Sequence, residues 1–160
     1  MRRSFAIVAA AALATACAEQ APLTAPTVGG PQLAKIAGAD QGGRRLTATL
    51  TGAAEAPRPG DPDGFGTAVI TVNPGQGQLC YELTVAGIAP ATASHVHEAP
   101  AGVAGPVVRG LVAPTSGASS GCAPISRQLA KEIIAAPSDY YVNVHNVPFP
   151  GGALRGQLSK

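Results

Sequence analysis

The chain has 160 residues, with 11 basic side chains, 9 acidic side chains and three cysteines. This length suits one compact domain with an additional segment at one end. Residues 1–16 contain two of the arginines, so the rest of the chain carries 9 basic and 9 acidic residues. Such a balance excludes the basic surface on which nucleic-acid binding depends, and we expect no nucleic-acid partner.

The N-terminus has the pattern of an export signal. Two arginines precede an apolar stretch from Phe5 to Leu13, which is too short to span a bilayer, and small residues follow it. This pattern predicts a signal peptide over residues 1–16 and a location outside the cytoplasm, in the cell envelope, the periplasm or the extracellular space.

Cys17 bears on how the signal is processed. The segment from Leu13 to Cys17 resembles a bacterial lipobox, in which the cysteine is lipidated, although the leucine lies one place earlier than usual. This resemblance implies a lipoprotein anchored to a membrane through Cys17. The alternative is ordinary signal-peptidase cleavage after small residues. Residues 17–43 are rich in Ala, Pro, Thr and Gly without a persistent period, which predicts a flexible tether before a domain at 44–160.

The remainder of the chain has the pattern of short strands. Apolar and polar residues alternate in seven stretches, at 44–52, 64–73, 79–87, 94–99, 105–112, 139–146 and 152–160. Ser126 is placed to cap a short helix that Pro137 ends. The pattern predicts an all-β fold, a Greek-key sandwich or barrel of seven to eight strands with one short helix.

Two cysteines lie within this predicted domain. Cys80 and Cys122 most simply form one disulfide, because two cysteines in an exported domain meet oxidising conditions. Two buried free thiols are the alternative.

All three histidines of the chain are expected on two strands. His95 and His97 leave the same face of one strand, because side chains alternate along a strand, and Val96 enters the core. His145 shares a face with Tyr141 and Asn143 on another strand. Three imidazoles around one point suit copper, or zinc as the alternative. The other interpretation is that these are exposed histidines without a function.

Polar neighbours of these histidines give further candidates. Glu98 could accept a hydrogen bond that fixes an imidazole tautomer, or it is a solvated surface charge. Asn143 braces the strand or the site. We find no pattern of a nucleophile with its base and no phosphate-binding loop, so the sequence favours binding over catalysis.

Five stretches between about residues 46 and 159 share a further pattern; they are "LTATLTGAAEAP", "GFGTAVITVN", "LCYELTVAGI", "ASHVHEAPAGVAGPVV" and "YYVNVHNVPFPGGALRGQL". Together they resemble the CHRD domain, named from chordin and frequent in bacterial exported proteins. The resemblance implies the β fold more firmly than any biochemical activity.

A fainter likeness is to Cu/Zn superoxide dismutase, which also has an H-V-H-E stretch, a later histidine, a disulfide and a C-terminal arginine. The likeness implies copper ligands at the three histidines, a Cys80–Cys122 bridge and an anion-guiding Arg155. No histidine remains for the zinc ligands of that family. Arg155 is otherwise expected to be a solvent-exposed strand residue or the partner of a carboxylate such as Glu98.

The sequence thus supports three hypotheses. The first is an exported, lipid-anchored protein that binds a transition metal, copper before zinc, through His95, His97 and His145 without catalysis. The second is an extracellular module that binds a protein partner without metal. The third is a weak oxidoreductase of the dismutase type.

Overall fold

The computed structural model describes residues 43–160. The predicted signal peptide at 1–16, the lipidation at Cys17 and all but the last residue of the predicted tether at 17–43 lie outside the described residues. Within residues 43–160, no helix is long and apolar enough to cross a membrane.

This part of the chain forms eight strands and one α-helix. The strands are β1 (Arg44–Thr51), β2 (Phe65–Asn73), β3 (Gln78–Ala86), β4 (Ala91–Glu98), β5 (Val107–Leu111), β6 (Ala118–Pro124), β7 (Tyr140–Asn146) and β8 (Leu154–Gln157). The helix α1 spans Arg127–Ala135, and its first turn is capped by the Ser126 hydroxyl, which accepts the N–H of Leu129 at 3.0 Å. Short 3-10 turns occupy Gly52–Ala54 and Pro137–Asp139.

The strands form one antiparallel sheet in the order β5-β4-β7-β8-β1-β2-β3-β6, and this sheet curls into a nearly closed barrel. Side chains bridge the gap between the two edge strands. The hydroxyl of Ser119 donates to the Val112 carbonyl at 2.7 Å, and the Val112 N–H donates to the Tyr81 hydroxyl at 3.0 Å. Arg109 donates to the Pro124 carbonyl at 3.0 Å. The predicted all-β fold is confirmed.

The barrel interior is filled by the residues that the alternating pattern predicts. Buried apolar side chains at alternate positions of β2, β3 and β7, together with Val96 of β4, fill it; they include Ala68, Ile70, Val72, Leu79, Tyr81, Leu83, Val142 and Val144. Val85, near the end of β3, is only partly buried and packs at the edge of the core. Ala130 and Ile133 of α1 pack onto the same core. Burial of these apolar side chains is the main favourable term for the fold.

Strand β6 has no counterpart among the seven predicted stretches. Its sequence, "ASSGCAP", is small and polar and contains glycine and proline, so it lacks the apolar alternation that identifies a strand. Pairing with β3 forms it instead. The register places Cys122 opposite Cys80, and these two cysteines form the predicted disulfide.

A buried carboxyl lies under the turn that precedes β8. The Glu55 side chain is only 9% exposed, and a Cβ atom built on Gly152 would lie 2.4 Å from its Oε1 atom. Burial raises the pKa of Glu55 to about 7, although a backbone hydrogen bond at Ala56 and the charge of Arg155 oppose the shift. The sequence pattern marks Glu55 only as turn material and gives no sign of this burial.

Removing the disulfide should destabilise the barrel without disturbing the histidines. Cys80 and Cys122 are 42 residues apart, and a closed loop of this length contributes about 3–4 kcal/mol in the chain-entropy model. We expect a Cys80→Ala/Cys122→Ala variant to lose about 3 kcal/mol of unfolding free energy in urea denaturation. A loss below about 1 kcal/mol would contradict this role.

Glu55 should make the stability of the wild-type protein fall as the pH rises. Its pKa is higher in the folded state, about 7 against 4.5, so the folded state binds the extra proton between these values. Stability is therefore lost from about pH 4.5 to about pH 7. Glu55→Gln removes this loss, and we expect it to gain on the order of 2 kcal/mol over wild type between pH 5 and pH 8. Urea denaturation at several pH values tests this, because parallel stability curves would refute it.

Candidate metal centre

Pairing of β4 with β7 brings the three histidines to one place. Val96, Val142 and Val144 point into the core, so their neighbours along each strand point to the outer face. The antiparallel register places His95 opposite Asn143, His97 opposite Tyr141 and Ala93 opposite His145. The outer-face positions predicted for the histidines are confirmed.

The three imidazoles form a compact cluster. One ring nitrogen of each histidine lies within 4.8 Å of the others, which is a spacing that could hold a metal ion. The Nδ1 atom of His95 lies 3.2 Å from the Nε2 atom of His145. For bonds of about 2.0–2.1 Å, this separation gives an angle of roughly 100° at an ion, which is within about 10° of the tetrahedral angle.

Backbone carbonyls orient two of the rings. The Nδ1 atom of His97 lies 2.9 Å from the carbonyl oxygen of Gly105, and the Nδ1 atom of His145 lies 3.0 Å from that of Pro150. A carbonyl only accepts, so each Nδ1 carries the proton and the Nε2 lone pair remains for a metal. These carbonyls perform the orienting role that metal-bound histidines generally require.

The prediction that Glu98 orients a histidine is not supported by its position. Glu98 is exposed, alternates with His97 along β4 and pairs with Tyr140, whose pKa its charge helps to raise. Both orienting acceptors are main-chain atoms. A sequence pattern cannot reveal them, because every residue has a carbonyl.

The segment 99–106, which joins β4 to β5, covers part of this outer face. The Gly105 N–H donates to the Tyr141 hydroxyl at 3.1 Å, and the Gln157 amide donates to the Ala99 carbonyl at 2.7 Å. His97 is therefore only 8% exposed, whereas His95 and His145 remain partly exposed. The cluster is half enclosed and can be reached from one side.

Arg155 lies beneath this segment and is only 1% exposed, so the expectation of a solvent-exposed arginine is wrong. Its guanidinium donates to the carbonyls of Val103 at 2.8 Å and Pro100 at 2.9 Å. It also lies 3.5 Å from the ring centroid of Tyr141, and that ring stacks on His97 with centroids 4.7 Å apart. Arg155 thus fixes the covering segment and supports the ring of His97, and it is not paired with Glu98.

Asn143 lies among the histidines. It is 2% exposed, its Oδ1 atom is 3.0 Å from Nε2 of His97, and its side chain is also hydrogen-bonded to His95. The sequence identified Asn143 as a neighbour of the site, and the structure places it in direct contact with two of the three rings.

Burial favours the uncharged form of two histidines. It lowers the pKa of His95 below 6.5, and the neighbouring His145 and His97 lower it further, against the hydrogen bond with Asn143. Burial also lowers the pKa of His145, against its hydrogen bond to Pro150. Both rings are therefore neutral at pH 7, which is the form that binds metals.

Comparison with known proteins identifies the family that the sequence resembles. No curated protein and no solved structure matches the chain, so the fainter likeness to Cu/Zn superoxide dismutase gains no support. The family model of the CHRD domain matches residues 46–158, which is most of the chain and contains the barrel, apart from the first two residues of β1, together with all three histidines. This chain belongs to the CHRD domain family.

Proposed function

We propose that this CHRD domain binds one transition-metal ion through His95, His97 and His145, and that it holds or transfers the ion without turning over a substrate. Imidazole suits both copper and zinc, and we take copper as the first candidate and zinc as the second. The observation that carries the proposal is the convergence of three ring nitrogens within 4.8 Å.

The protonation and orientation of the rings support this function. His97 and His145 have their Nδ1 protons engaged by carbonyls, so their Nε2 atoms are available without a change of tautomer. Two ligands of one ion cannot be more than about 4.2 Å apart, so the widest spacing must contract by less than an ångström. His95 and His145 are partly exposed, and side-chain movements there can supply that contraction.

A binding role is favoured over a dismutase role by the position of Arg155. An arginine that guides anions must reach solvent, whereas this guanidinium is buried and donates to main-chain carbonyls. The geometry therefore supports metal binding or handling more than a dismutase role.

We also propose that the protein is exported and anchored to a membrane through a lipid on Cys17. The signal-like pattern of residues 1–16 supports export. The disulfide between Cys80 and Cys122 supports an oxidising compartment, such as the periplasm or the extracellular space. Mass spectrometry of the membrane fraction tests the anchor, because diacylation of Cys17 adds a defined mass that Cys17→Ser removes.

Metal titration tests the central proposal. We expect calorimetry to give one tight site for Cu²⁺ or Zn²⁺, and a His95→Ala/His97→Ala/His145→Ala variant to lose at least 100-fold in affinity, because an ion-binding site loses all its imidazole ligands. Since His97 is buried, His145→Gln is the companion variant that changes a partly exposed ring. Circular dichroism establishes that each variant is folded. Equal affinity of wild type and folded variants would exclude the site.

The affinity should fall in acid. Protons compete with the ion for the same lone pairs, and burial lowers the pKa of both His95 and His145, so these rings resist protonation in mildly acidic solution. We therefore expect binding to be nearly constant from pH 8 to about pH 6.5 and to weaken steeply below about pH 6. Undiminished affinity at about pH 4.5 would rule out a site made of three imidazoles.

A further inference from the structure

We propose that the side-chain oxygen of Asn143 is a fourth ligand of this centre, so that the ion is held by three imidazole nitrogens and one amide oxygen. The inference rests on the proposed metal binding and adds to it both a ligand and a preference among ions. It concerns a residue type that histidine, cysteine and carboxylate patterns do not reveal.

Asn143 has a position in the sheet that brings its side chain to the three histidines. It lies directly opposite His95 on β7 and two residues before His145, so its side chain rises from the same outer face between those rings. Its Oδ1 atom is 3.0 Å from the Nε2 atom of His97. No other asparagine or glutamine is hydrogen-bonded to a histidine in the described part of the chain.

The 3.0 Å contact between Oδ1 of Asn143 and Nε2 of His97 joins two atoms that both accept hydrogen bonds. The Nδ1 proton of His97 is committed to the carbonyl of Gly105, so in the neutral ring Nε2 bears a lone pair. Oδ1 is also an acceptor, and two lone pairs that face each other repel. The contact is favourable when a cation lies between the two atoms, either a proton or a metal ion. Without such a cation, the opposite orientation of the amide would be the favourable one, because its NH₂ group could then donate to Nε2.

The distances between the side-chain atoms at this centre also fit an ion. For bonds of about 2.0–2.1 Å, the separation of 3.0 Å between Oδ1 and Nε2 corresponds to roughly 95° at the ion. The 3.2 Å separation between the His95 and His145 nitrogens corresponds to roughly 100°. Each pair is therefore spaced as two adjacent ligands of an ion would be, and the three histidine nitrogens lie within 4.8 Å of one another.

A fourth ligand of this type has a consequence for ion preference. An amide oxygen is a harder donor than imidazole, and it favours divalent ions such as Cu²⁺ and Zn²⁺ over Cu⁺, which prefers soft ligands. Removing the oxygen should therefore weaken divalent binding selectively. If Asn143 only oriented His97, removing it would weaken the binding of Cu²⁺, Zn²⁺ and Cu⁺ to a similar degree.

Two substitutions at Asn143 test this ligand. Asn143→Asp keeps an oxygen at the same position and adds a negative charge, and Asn143→Leu keeps the approximate volume and removes the oxygen. The matched control is Asn73→Asp, at another buried asparagine, whose Oδ1 accepts the Gln76 N–H at 3.1 Å at the end of β2. Zn²⁺, Cu²⁺ and Cu⁺ are titrated into the full chain, Cu⁺ by competition with a chelator, and electron paramagnetic resonance is recorded for the Cu²⁺ forms.

We expect Asn143→Asp to bind Zn²⁺ and Cu²⁺ at least tenfold more tightly than wild type, with a changed Cu²⁺ resonance. We expect Asn143→Leu to lose at least tenfold for both divalent ions and less than threefold for Cu⁺, while Asn73→Asp matches wild type. Two results would refute Asn143 as a ligand and leave the three-histidine site intact. One is an equal loss of affinity for all three ions in Asn143→Leu, and the other is wild-type affinity and a wild-type Cu²⁺ spectrum in both Asn143 variants. Absence of any tight site in wild type would overturn both proposals.

Discussion

The antiparallel register between β4 and β7 is the constraint on which the centre depends. Side chains alternate along a strand, so a slip of one residue would turn His95 and His97 into the apolar core and Val96 onto the outer face. Val96, Val142 and Val144 are fully buried, and each contributes about 1.5–3 kcal/mol through burial, which opposes such a slip. The apolar core therefore fixes where the imidazoles meet, although no histidine belongs to that core.

A second layer of structure refines the position of the rings. The segment 99–106 lies over the outer face, where Arg155, Gln157 and Tyr141 hold it through main-chain hydrogen bonds. Its Gly105 carbonyl then sets the tautomer of His97. The stacking of Arg155 on Tyr141, and of Tyr141 on His97, keeps that ring in place from the side. An outer strand face has thus become a partly enclosed site.

The sequence predicted the features that depend on local alternation. Side-chain periodicity predicted most strands and the outer-face positions of His95, His97 and His145. The cap at Ser126 predicted the helix, and the structure contains all of these features. The sequence did not predict β6, which is held by pairing with β3 and not by its own residues. It missed the burial of Arg155 and Glu55 and the carbonyl acceptors, because these arise from contacts between segments far apart in the chain.

The gap between β5 and β6 affects how the molecule behaves toward its own copies. A fully closed barrel has no edges, whereas an exposed edge offers unpaired main-chain groups to a strand of another molecule. Here the N–H of Val112 is bound by Tyr81, its carbonyl accepts from Ser119 and Ser94, and the Pro124 carbonyl accepts from Arg109. These three groups, at the ends of the two edge strands, already have partners, so they are not available to pair with a strand of another molecule.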